Sequence, residues 1–428
     1  MNIFWFRRDL RLEDNHGLYQ ALKAGNTKAI FIFDRNILNK LEDQNDRRVS
    51  FIHQEVSRVK HELQAIGSDL EVYYSSPKEV FKSLADNEEL QAIYCNHDYE
   101  PYALHRDAEI AALAEEKGKA FKSFKDQCIL EKGEVLKDDG TAYTVFSPYM
   151  RKWKKTLKDS DLNAYPSKNV KSAFLQFKAT EIPSLNEMGF TSNLTHIPTR
   201  KLESSIVERY HEQRDIPSVN GTTRLSIHLR FGTVSIRQLA RTAQNLNEKW
   251  YNELIWRDFY MMILWHFPNV VKEAFNPRYR KIEWIHDEQA FEAWKNGKTG
   301  YPIVDAGMRE LNETGFMHNR VRMVVASFFT KHLFQNWQLG EAYFAQKLND
   351  FELSSNNGGW QWAASTGVDA APYFRVFNPE LQTKKFDPQF RYIQKWVPEF
   401  QEFDYPKPIV EHKWARERAI RLFKEQVS

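Results

Sequence analysis

Residues 356–367 read Asn356-Asn357-Gly358-Gly359-Trp360-Gln361-Trp362-Ala363-Ala364-Ser365-Thr366-Gly367. Two indoles stand beside an asparagine pair, two glycines and a row of small residues. Small residues allow a backbone or a flat ligand to come close, and indoles offer apolar stacking area, an N–H donor and an oxidisable ring. An ordinary core does not need this combination, so the stretch indicates a site for a planar cofactor.

The composition of the 428 residues is that of a soluble protein of two or three domains, with 27% charged and 42% hydrophobic residues. A net charge of +3 excludes a histone-like basic tail but allows a local basic face. No apolar run approaches the roughly 18 residues that span a membrane. A strand-like run begins at Ile3, so we expect no signal or transit peptide and a cytoplasmic protein.

Cys95 and Cys128 are the only cysteines, and both lie in apolar surroundings. Free buried thiols in a reducing compartment are therefore favoured over a disulfide. No Cys-x-x-Cys or paired-histidine spacing is present, so we expect no metal site.

The first 125 residues alternate between strand and helix patterns. Short apolar runs occur at 3–6, 29–33, 70–74, 92–95 and 121–124. Helical patterns lie between them at 46–66, 77–86 and 101–117, and Pro77 and Pro101 suit first-turn positions. This alternation predicts an α/β domain with a parallel, doubly wound sheet. No Gly-x-Gly-x-x-Gly follows the first strand, so a dinucleotide fingerprint is absent.

The rest of the chain shows two further patterns. Residues 126–195 are rich in Lys, Asp and Pro and have weak hydrophobic periodicity, which predicts an irregular interdomain linker. Residues 196–428 are helical in pattern, with helices expected near 251–266, 301–316 and 321–337. We therefore expect an all-helical C-terminal domain.

Two regions carry a resemblance to a known family. Residues 2–11, Asn-Ile-Phe-Trp-Phe-Arg-Arg-Asp-Leu-Arg, resemble the opening strand and loop of the photolyase/cryptochrome family, and residues 210–378 resemble its flavin-binding domain. The most similar members are the class I cyclobutane pyrimidine dimer photolyases. The resemblance implies an antenna-type domain over 1–125 and a helical domain over 196–428 that binds FAD and the DNA lesion.

The resemblance implies one non-covalent FAD. Gly221 to Ser226 resemble the turn that cradles its pyrophosphate, although Thr-Thr-Arg-Leu-Ser taken alone favours a helix N-cap. Phe316 replaces a usual Trp, and Glu352 replaces a usual Asp. Asn356 matches the residue facing flavin N5, where several cryptochrome branches carry Asp or Cys. The matching cofactor positions are Tyr210, Thr222, Thr223, Arg224, Leu225, Ser226, Trp250, Phe316, Asn319, Arg322, Asp350, Phe351, Glu352 and Asn356.

Three tryptophans match the family's electron-transfer chain from flavin to surface: Trp360, Trp337 and Trp284. For any one of them, a purely structural place in the core is the usual interpretation. The agreement of all three positions favours the chain.

The lesion pocket is implied by the same resemblance. Glu253 and Trp256 lie three residues apart and so share a helix face. Trp256 and Trp362 match an apolar wall for two joined thymines, and a protonated Glu253 can donate to a pyrimidine carbonyl. Asn319 and Met323 line the remaining side, where six-four photoproduct enzymes carry His. The residues expected to act in catalysis are Glu253, Asn319, Met323 and Asn356.

DNA must deliver the lesion as a flipped dinucleotide. By resemblance Arg214, Arg320 and Arg375 are expected to contact it, whereas Lys384, Lys385 and Arg391 suit either a basic rim or a merely solvated face. Residues 96–103 align with a segment that binds a second, antenna chromophore. Tyr102-Ala103 replaces the Asn-Glu of folate binders, Glu100-Pro101-Tyr102 weakly resembles deazaflavin binders, and an empty pocket is the third alternative.

The resemblance thus implies a monomeric, light-driven DNA repair lyase that acts on cyclobutane pyrimidine dimers. The alternative is a cryptochrome-type blue-light receptor without repair activity. A third class, a non-catalytic single-strand binder, would not need the flavin positions.

Overall fold

Five short runs rich in β-branched and aromatic residues form one sheet. The strands are β1 (Asn2–Phe6), β2 (Thr27–Asp34), β3 (Leu70–Ser75), β4 (Ala92–Asn96) and β5 (Ala120–Phe124). All pairs are parallel, in the order β3-β2-β1-β4-β5. Phe4 and Phe6 enter one apolar cluster while Ile3 and Trp5 enter another. Both faces of β1 are therefore buried, and the predicted doubly wound parallel sheet is confirmed.

Helices are the main regular element of the remaining chain in this computed structural model, which describes residues 1–427. In chain order they are α1 (His16–Lys23), α2 (Arg35–Leu38), α3 (Arg47–Gln64), α4 (Pro77–Ala85), α5 (Pro101–Glu116), α6 (Phe146–Thr156), α7 (Ser204–Glu208), α8 (Tyr210–Gln213), α9 (Ser226–Arg230), α10 (Ile236–Leu246), α11 (Glu248–His266), α12 (Glu288–Lys295), α13 (Pro302–Thr314), α14 (Asn319–Ser327), α15 (Trp337–Lys347), α16 (Leu353–Ala364), α17 (Pro379–Phe386), α18 (Arg391–Trp396) and α19 (His412–Val427). Short 3-10 turns lie at Asp159–Leu162, Ser167–Ala173, Pro268–Val271 and Pro277–Tyr279. Pro77 and Pro101 begin α4 and α5, as expected.

The chain divides into two units, and each is assembled from several segments. The first unit comprises residues 1–134, 156–201 and 225–245, and the second comprises 135–155, 202–224 and the chain from 246 onward. This division differs from the expected boundaries of 1–125, 126–195 and 196–428. The segment expected to be an irregular linker contributes to both units.

Residues 225–245 join the first unit through a buried ion cluster. Arg237 of α10 contacts Asp14 at 2.8 Å and Asp126 at 2.7 Å, and Arg11 contacts Asp126 at 2.7 Å. These side chains are almost fully buried, so each charge depends on its partners. Such long-range pairing leaves no periodic signal in the sequence, which is why the boundary at 196 differs from the structure.

Residues 135–155 join the second unit because α6 has an apolar face. Phe146, Tyr149 and Trp153 are buried, and the Trp153 indole N–H donates to Asp258 of α11 at 3.1 Å. Their three- and four-residue spacing is typical of a helix. The many lysines around them lower the hydrophobic periodicity of the segment, so the sequence did not predict this helix.

The helix predicted over 321–337 is interrupted, contrary to expectation. α14 ends at Ser327, a π-helical turn covers Phe328–His332, and α15 begins only at Trp337. Phe334 adopts a left-handed conformation with φ of 52°, and Asn336 caps α15 through its side chain. The apolar 3/4 spacing continues through this break because the turn is buried, so periodicity alone did not reveal it.

The cysteines behave as the sequence indicates. Cys95 and Cys128 are both buried, and neither forms a disulfide. None of the helices within residues 1–427 is long and apolar enough to cross a bilayer.

We expect Asp126→Asn to lower the free energy of unfolding by about 3–5 kcal/mol, because it leaves Arg11 and Arg237 buried with an incomplete set of partners. Burial alone would raise the pKa of Asp126, but the two guanidinium groups hold it at about 2. The folded pKa lies below the unfolded one, so this contribution is present above about pH 4 and is lost as the pH falls towards 2.

Urea unfolding followed by circular dichroism, at neutral and acid pH, measures both effects. Asp86→Asn is the matched control, since Asp86 pairs with Lys117 on the exposed surface of the same unit, and it should leave unfolding unchanged. Equal losses in the two variants would contradict the prediction.

Candidate functional site

Residues 356–364 of the quoted stretch lie in α16, and Trp360 is the largest buried side chain of this helix. The indole is 2% exposed and meets Phe344 edge-on, with ring centroids 4.9 Å apart. Phe329 and Trp294 lie 5.8 and 6.0 Å away. A Cβ added at Gly340 of α15 would lie 2.1 Å from the indole Cη2. Gly340 is therefore required for α15 and α16 to approach with the indole between them.

The two glycines of α16 have different environments. A Cβ at Gly358 would lie 2.2 Å from the ring of Tyr260 on α11, whereas nothing lies within 4 Å of one at Gly359. The close approach at Gly358 is therefore made by a side chain of the protein, and only Gly359 is open. Gly358 sets the spacing between α11 and α16.

Asn356 is oriented by an acid that the sequence did not single out. Its amide donates to Glu341 Oε1 at 2.8 Å and to the Glu341 carbonyl at 3.1 Å. Burial raises the pKa of Glu341, and the hydrogen bond from Asn356 opposes this only in part. The only signal in the sequence is an acidic residue four positions after Trp337 on α15. Glu341 fixes the Asn356 side chain and provides a titratable group behind it.

Arg322 and Asp350, two of the expected cofactor positions, form an ion pair with Nη2 and Oδ2 3.0 Å apart. Arg322 Nε also donates to the Met317 carbonyl at 2.7 Å. Phe316 lies between two guanidinium groups, with Arg224 4.5 Å and Arg322 5.8 Å from the ring centroid. A phenyl ring can accept cation–π contacts as an indole does. Phe316 therefore keeps the contacts with both arginines although it replaces the Trp that is usual at this position.

The longer side chain of Glu352 finds a cationic partner. Its carboxylate lies 3.7 Å from Arg257 Nη2, and both side chains are largely buried. The extra methylene relative to Asp is thus accommodated by an ion pair with α11.

The turn at 221–224 has the properties of an anion cradle. A Cβ at Gly221 would lie 2.6 Å from Gln213 Cβ, and Arg224 adopts φ of 52°. Within residues 1–427, the hydroxyls and backbone N–H groups of Thr222 and Thr223 make no hydrogen bond. Unused donors beside an arginine fit a diphosphate, so these residues fit the implied FAD.

The other expected cofactor positions lie in different settings. Tyr210 of α8 has its pKa raised, chiefly by burial, and Arg214 lies 5.4 Å from its ring. Trp250 is buried in α11, and Phe351 packs against the second unit's core. Leu225 and Ser226 fall in the first unit, where Leu225 is buried and Ser226 begins α9.

Glu253 and Trp256 share one face of α11. Glu253 Oε1 lies 2.5 Å from Arg214 Nη1. Burial raises the pKa of Glu253, although the Arg214 charge and hydrogen bond oppose the shift. Trp256 is stacked on Phe146 of α6, with centroids 3.6 Å apart and planes 7° from parallel. Phe146 was not predicted as a site residue.

Of the remaining predicted residues, three lie on α14, Trp362 lies on α16, and Arg375 follows α16 in the chain. Asn319 and Met323 lie four apart on α14, and α16 packs against both α11 and α14. Arg320 pairs with Asp215 at 2.8 Å and lies 4.3 Å from the Phe386 ring. Trp362 is half-buried and Arg375 is exposed.

The three tryptophans of the expected electron path belong to one apolar cluster. Trp360 and Trp337 are buried in it, and the less buried Trp284 packs against it. Trp284 also meets Phe334 and Phe423, at 5.1 and 6.0 Å. None of the three rings stacks directly on another within the described chain, and the indole nearest to Trp360 in ring contact is Trp294.

Comparison with known proteins decides the family. Residues 250–404 match the model described as the FAD binding domain of DNA photolyase, and residues 2–168 match the model described as DNA photolyase. The deoxyribodipyrimidine photo-lyases of Halobacterium salinarum and Escherichia coli are 36% and 34% identical to this chain, each over 99% of it and 98% of the relative. The chain belongs to the DNA photolyase family.

Solved structures of the photolyase and cryptochrome family have the same fold. A class III photolyase from Agrobacterium tumefaciens is 29% identical, with a TM-score of 0.86 over 99% of this chain and 97% of that one. A photolyase from Sulfolobus tokodaii, described with two FAD molecules, is 35% identical with a TM-score of 0.84 over 99% and 100%. A Synechocystis cryptochrome is 26% identical with a TM-score of 0.86 over 99% of each chain. The fold alone therefore does not separate repair enzymes from cryptochromes.

We expect Gly340→Ala to lower the free energy of unfolding by about 1–3 kcal/mol and to reduce the FAD content of the purified protein. The new methyl group would displace the Trp360 ring and with it α16. Gly359→Ala is the matched control because its Cβ meets nothing. Thermal unfolding and the flavin-to-protein absorbance ratio measure the two effects, and similar values for both variants would disprove this account of Gly340.

Proposed function

We propose that this protein repairs cyclobutane pyrimidine dimers in DNA with light, using reduced FAD as electron donor. The observation that carries the proposal is the arrangement on α11, where Glu253 and Trp256 share one face and α11 packs at Gly358 against α16. Full-length relatives named as deoxyribodipyrimidine photo-lyases support the same reaction.

The cofactor is assigned to residues of the second unit. The Thr222–Arg224 turn suits the diphosphate, while Phe316, the Arg322–Asp350 pair and Asn356 suit the flavin ring. When bound, reduced FAD supplies the light-absorbing group and the electron that opens the cyclobutane ring. The protein's part is to hold the two reactants in place and to exclude water.

Damaged DNA is the macromolecular substrate. Two adjacent pyrimidines joined as a dimer stack poorly, so their extrusion costs less than that of normal bases. The indoles of Trp256 and Trp362 offer apolar surface to the two pyrimidines. Asn319 and Met323 provide no imidazole for proton shuttling, which favours cyclobutane dimers over six-four photoproducts.

Glu253 is assigned to the pyrimidine carbonyl. Enclosure by the lesion disfavours the ionised carboxylate, in the direction in which burial already raises its pKa. The neutral acid can then donate a hydrogen bond to the carbonyl oxygen and stabilise negative charge there. Arg214 pairs with Glu253 Oε1 in this structure, which leaves Oε2 to carry the donated proton.

The decisive experiment is illumination of the reduced protein with a dimer-containing oligonucleotide, scored for restored thymines. Restoration that depends on both light and bound flavin supports repair. Flavin photochemistry without restored thymines would instead favour the cryptochrome alternative, which the fold of the Synechocystis protein also accommodates. A purified protein without flavin absorption would contradict both.

We further propose that the protein is a cytoplasmic monomer. We also propose that its first unit binds an antenna chromophore. The Glu100 carboxylate pairs with Arg8 at 3.0 Å and Arg230 at 2.8 Å, and Tyr102 donates to Asp34 at 2.5 Å. Because the Glu100 carboxylate is already paired with two arginines, it is not available as the acid that folate binders use. Light scattering of the eluted protein tests the oligomeric state, and the spectrum of material extracted after denaturation tests the antenna.

We expect Glu253→Ala to lower the quantum yield of repair several-fold while FAD remains bound. The variant removes the donor to the carbonyl and leaves the flavin contacts intact. Glu248→Ala is the control, since Glu248 lies in the first turn of the same helix and pairs with Lys154 at the surface. Repair yield per absorbed photon is the measurement, and an unchanged yield in the Glu253 variant would refute the role.

We expect Trp360→Phe to block photoreduction of the oxidised protein while sparing repair by enzyme reduced beforehand. Phenylalanine fills much of the space but is far harder to oxidise than an indole. Trp294→Phe is the control, because Trp294 contacts Trp360 but lies outside the expected path. Transient absorption after a light pulse distinguishes the variants, and normal photoreduction in the Trp360 variant would require another electron source.

A further inference from the structure

We propose that the solvent-facing row of α6, formed by Ser147, Arg151 and Lys155, binds backbone phosphates of the DNA strand beside the lesion. The proposal rests on the proposed repair function and adds a contact surface to it. It concerns a segment that the sequence had indicated as linker.

The position of α6 follows from its first residue. Phe146 stacks on Trp256, with centroids 3.6 Å apart, and Trp256 is assigned to the lesion wall. The Phe146 backbone N–H donates to Asp369 Oδ2 at 3.2 Å, which fixes the start of the helix. The N-terminal end of α6 therefore lies at the pocket, and DNA that places a dimer there must pass close to this helix.

The two faces of α6 are sharply different. Phe146, Tyr149 and Trp153 are buried in the second unit, whereas Ser147, Arg151 and Lys155 are exposed. The exposed residues are four apart and so form one row. At a rise of about 1.5 Å per residue, Arg151 and Lys155 are displaced by about 6 Å along the helix axis.

The charges on α6 are compensated everywhere except along that row. Lys152 pairs with Asp138 at 2.8 Å and Lys154 pairs with Glu248 at 2.9 Å, on the flanks of the helix. Arg151 and Lys155 form no ion pair with any carboxylate in residues 1–427, and Asp138 acts on Lys155 only at longer range. The helix itself contains no acidic residue. The uncompensated positive charge thus faces solvent in a line that starts at the pocket.

This arrangement fits a polyanion. Cations without internal partners need not break an ion pair to accept a phosphate, unlike Arg214 and Arg320, which are paired with Glu253 and Asp215. Each phosphate that a cation neutralises contributes about 0.9 to the slope of log K against log salt. Such contacts add affinity without reading the base sequence.

The test compares two double variants of the flavin-loaded protein, Arg151→Gln/Lys155→Gln and Lys413→Gln/Arg421→Gln. The control pair lies exposed on α19 and removes the same charge. Binding to a duplex with one thymine dimer, and to its undamaged counterpart, is measured over a series of salt concentrations. Repair yield is measured at saturating DNA.

For the α6 variant we expect the salt slope to fall by about 2, with affinity for both duplexes weakened by the same factor. The ratio of damaged to undamaged binding and the yield at saturation should be unchanged. A slope equal to that of the α19 control, or a loss confined to the damaged duplex, would overturn the proposal. Failure of the unsubstituted protein to bind or repair would instead overturn the proposed function and this inference with it.

Discussion

The edge of the Trp360 indole over Gly340 is the contact on which the site depends. A side chain at Gly340 would force α15 and α16 apart. Glu341 follows Gly340 on α15, and Asn356 lies one turn before Trp360 on α16. The Asn356 amide donates a hydrogen bond to the Glu341 carboxyl group and so links the two helices. One close approach thus encloses an oxidisable ring and orients the amide expected at the flavin.

A second close approach, on the opposite side of α16, connects this core to the lesion side. Gly358 lies against Tyr260, which shares α11 with Glu253 and Trp256. Trp256 is in turn held by Phe146. Helix spacings set by two glycines therefore carry the geometry from Trp360 to the proposed lesion wall through packed, rigid groups.

Charge is handled differently in the two halves of the site. At the expected cofactor positions, Arg322 pairs with Asp350 and Glu352 meets Arg257, with side chains 8–25% exposed. On the lesion side, Glu253 and Arg320 have partners that are partly exposed, Arg214 and Asp215. Exposed pairs are exchanged at lower cost than buried ones. The more exposed pairs at the expected lesion positions therefore cost less to separate.

The sequence by itself determined the strands, most helices, the two cysteines without a disulfide and the family, because these depend on periodicity, turn residues and contiguous motifs. It also marked Arg322 and Asp350 as cofactor positions and predicted the shared face of Glu253 and Trp256. Only the tertiary structure decided that Arg237 forms ion pairs with Asp14 and Asp126. It also decided that Phe146 stacks on Trp256 and that Glu341 accepts hydrogen bonds from Asn356. The interruption of the helix before Trp337 appeared only there as well. Ion pairs and ring contacts between residues far apart in the chain leave no local pattern, since either partner alone looks like an ordinary surface charge or core aromatic residue.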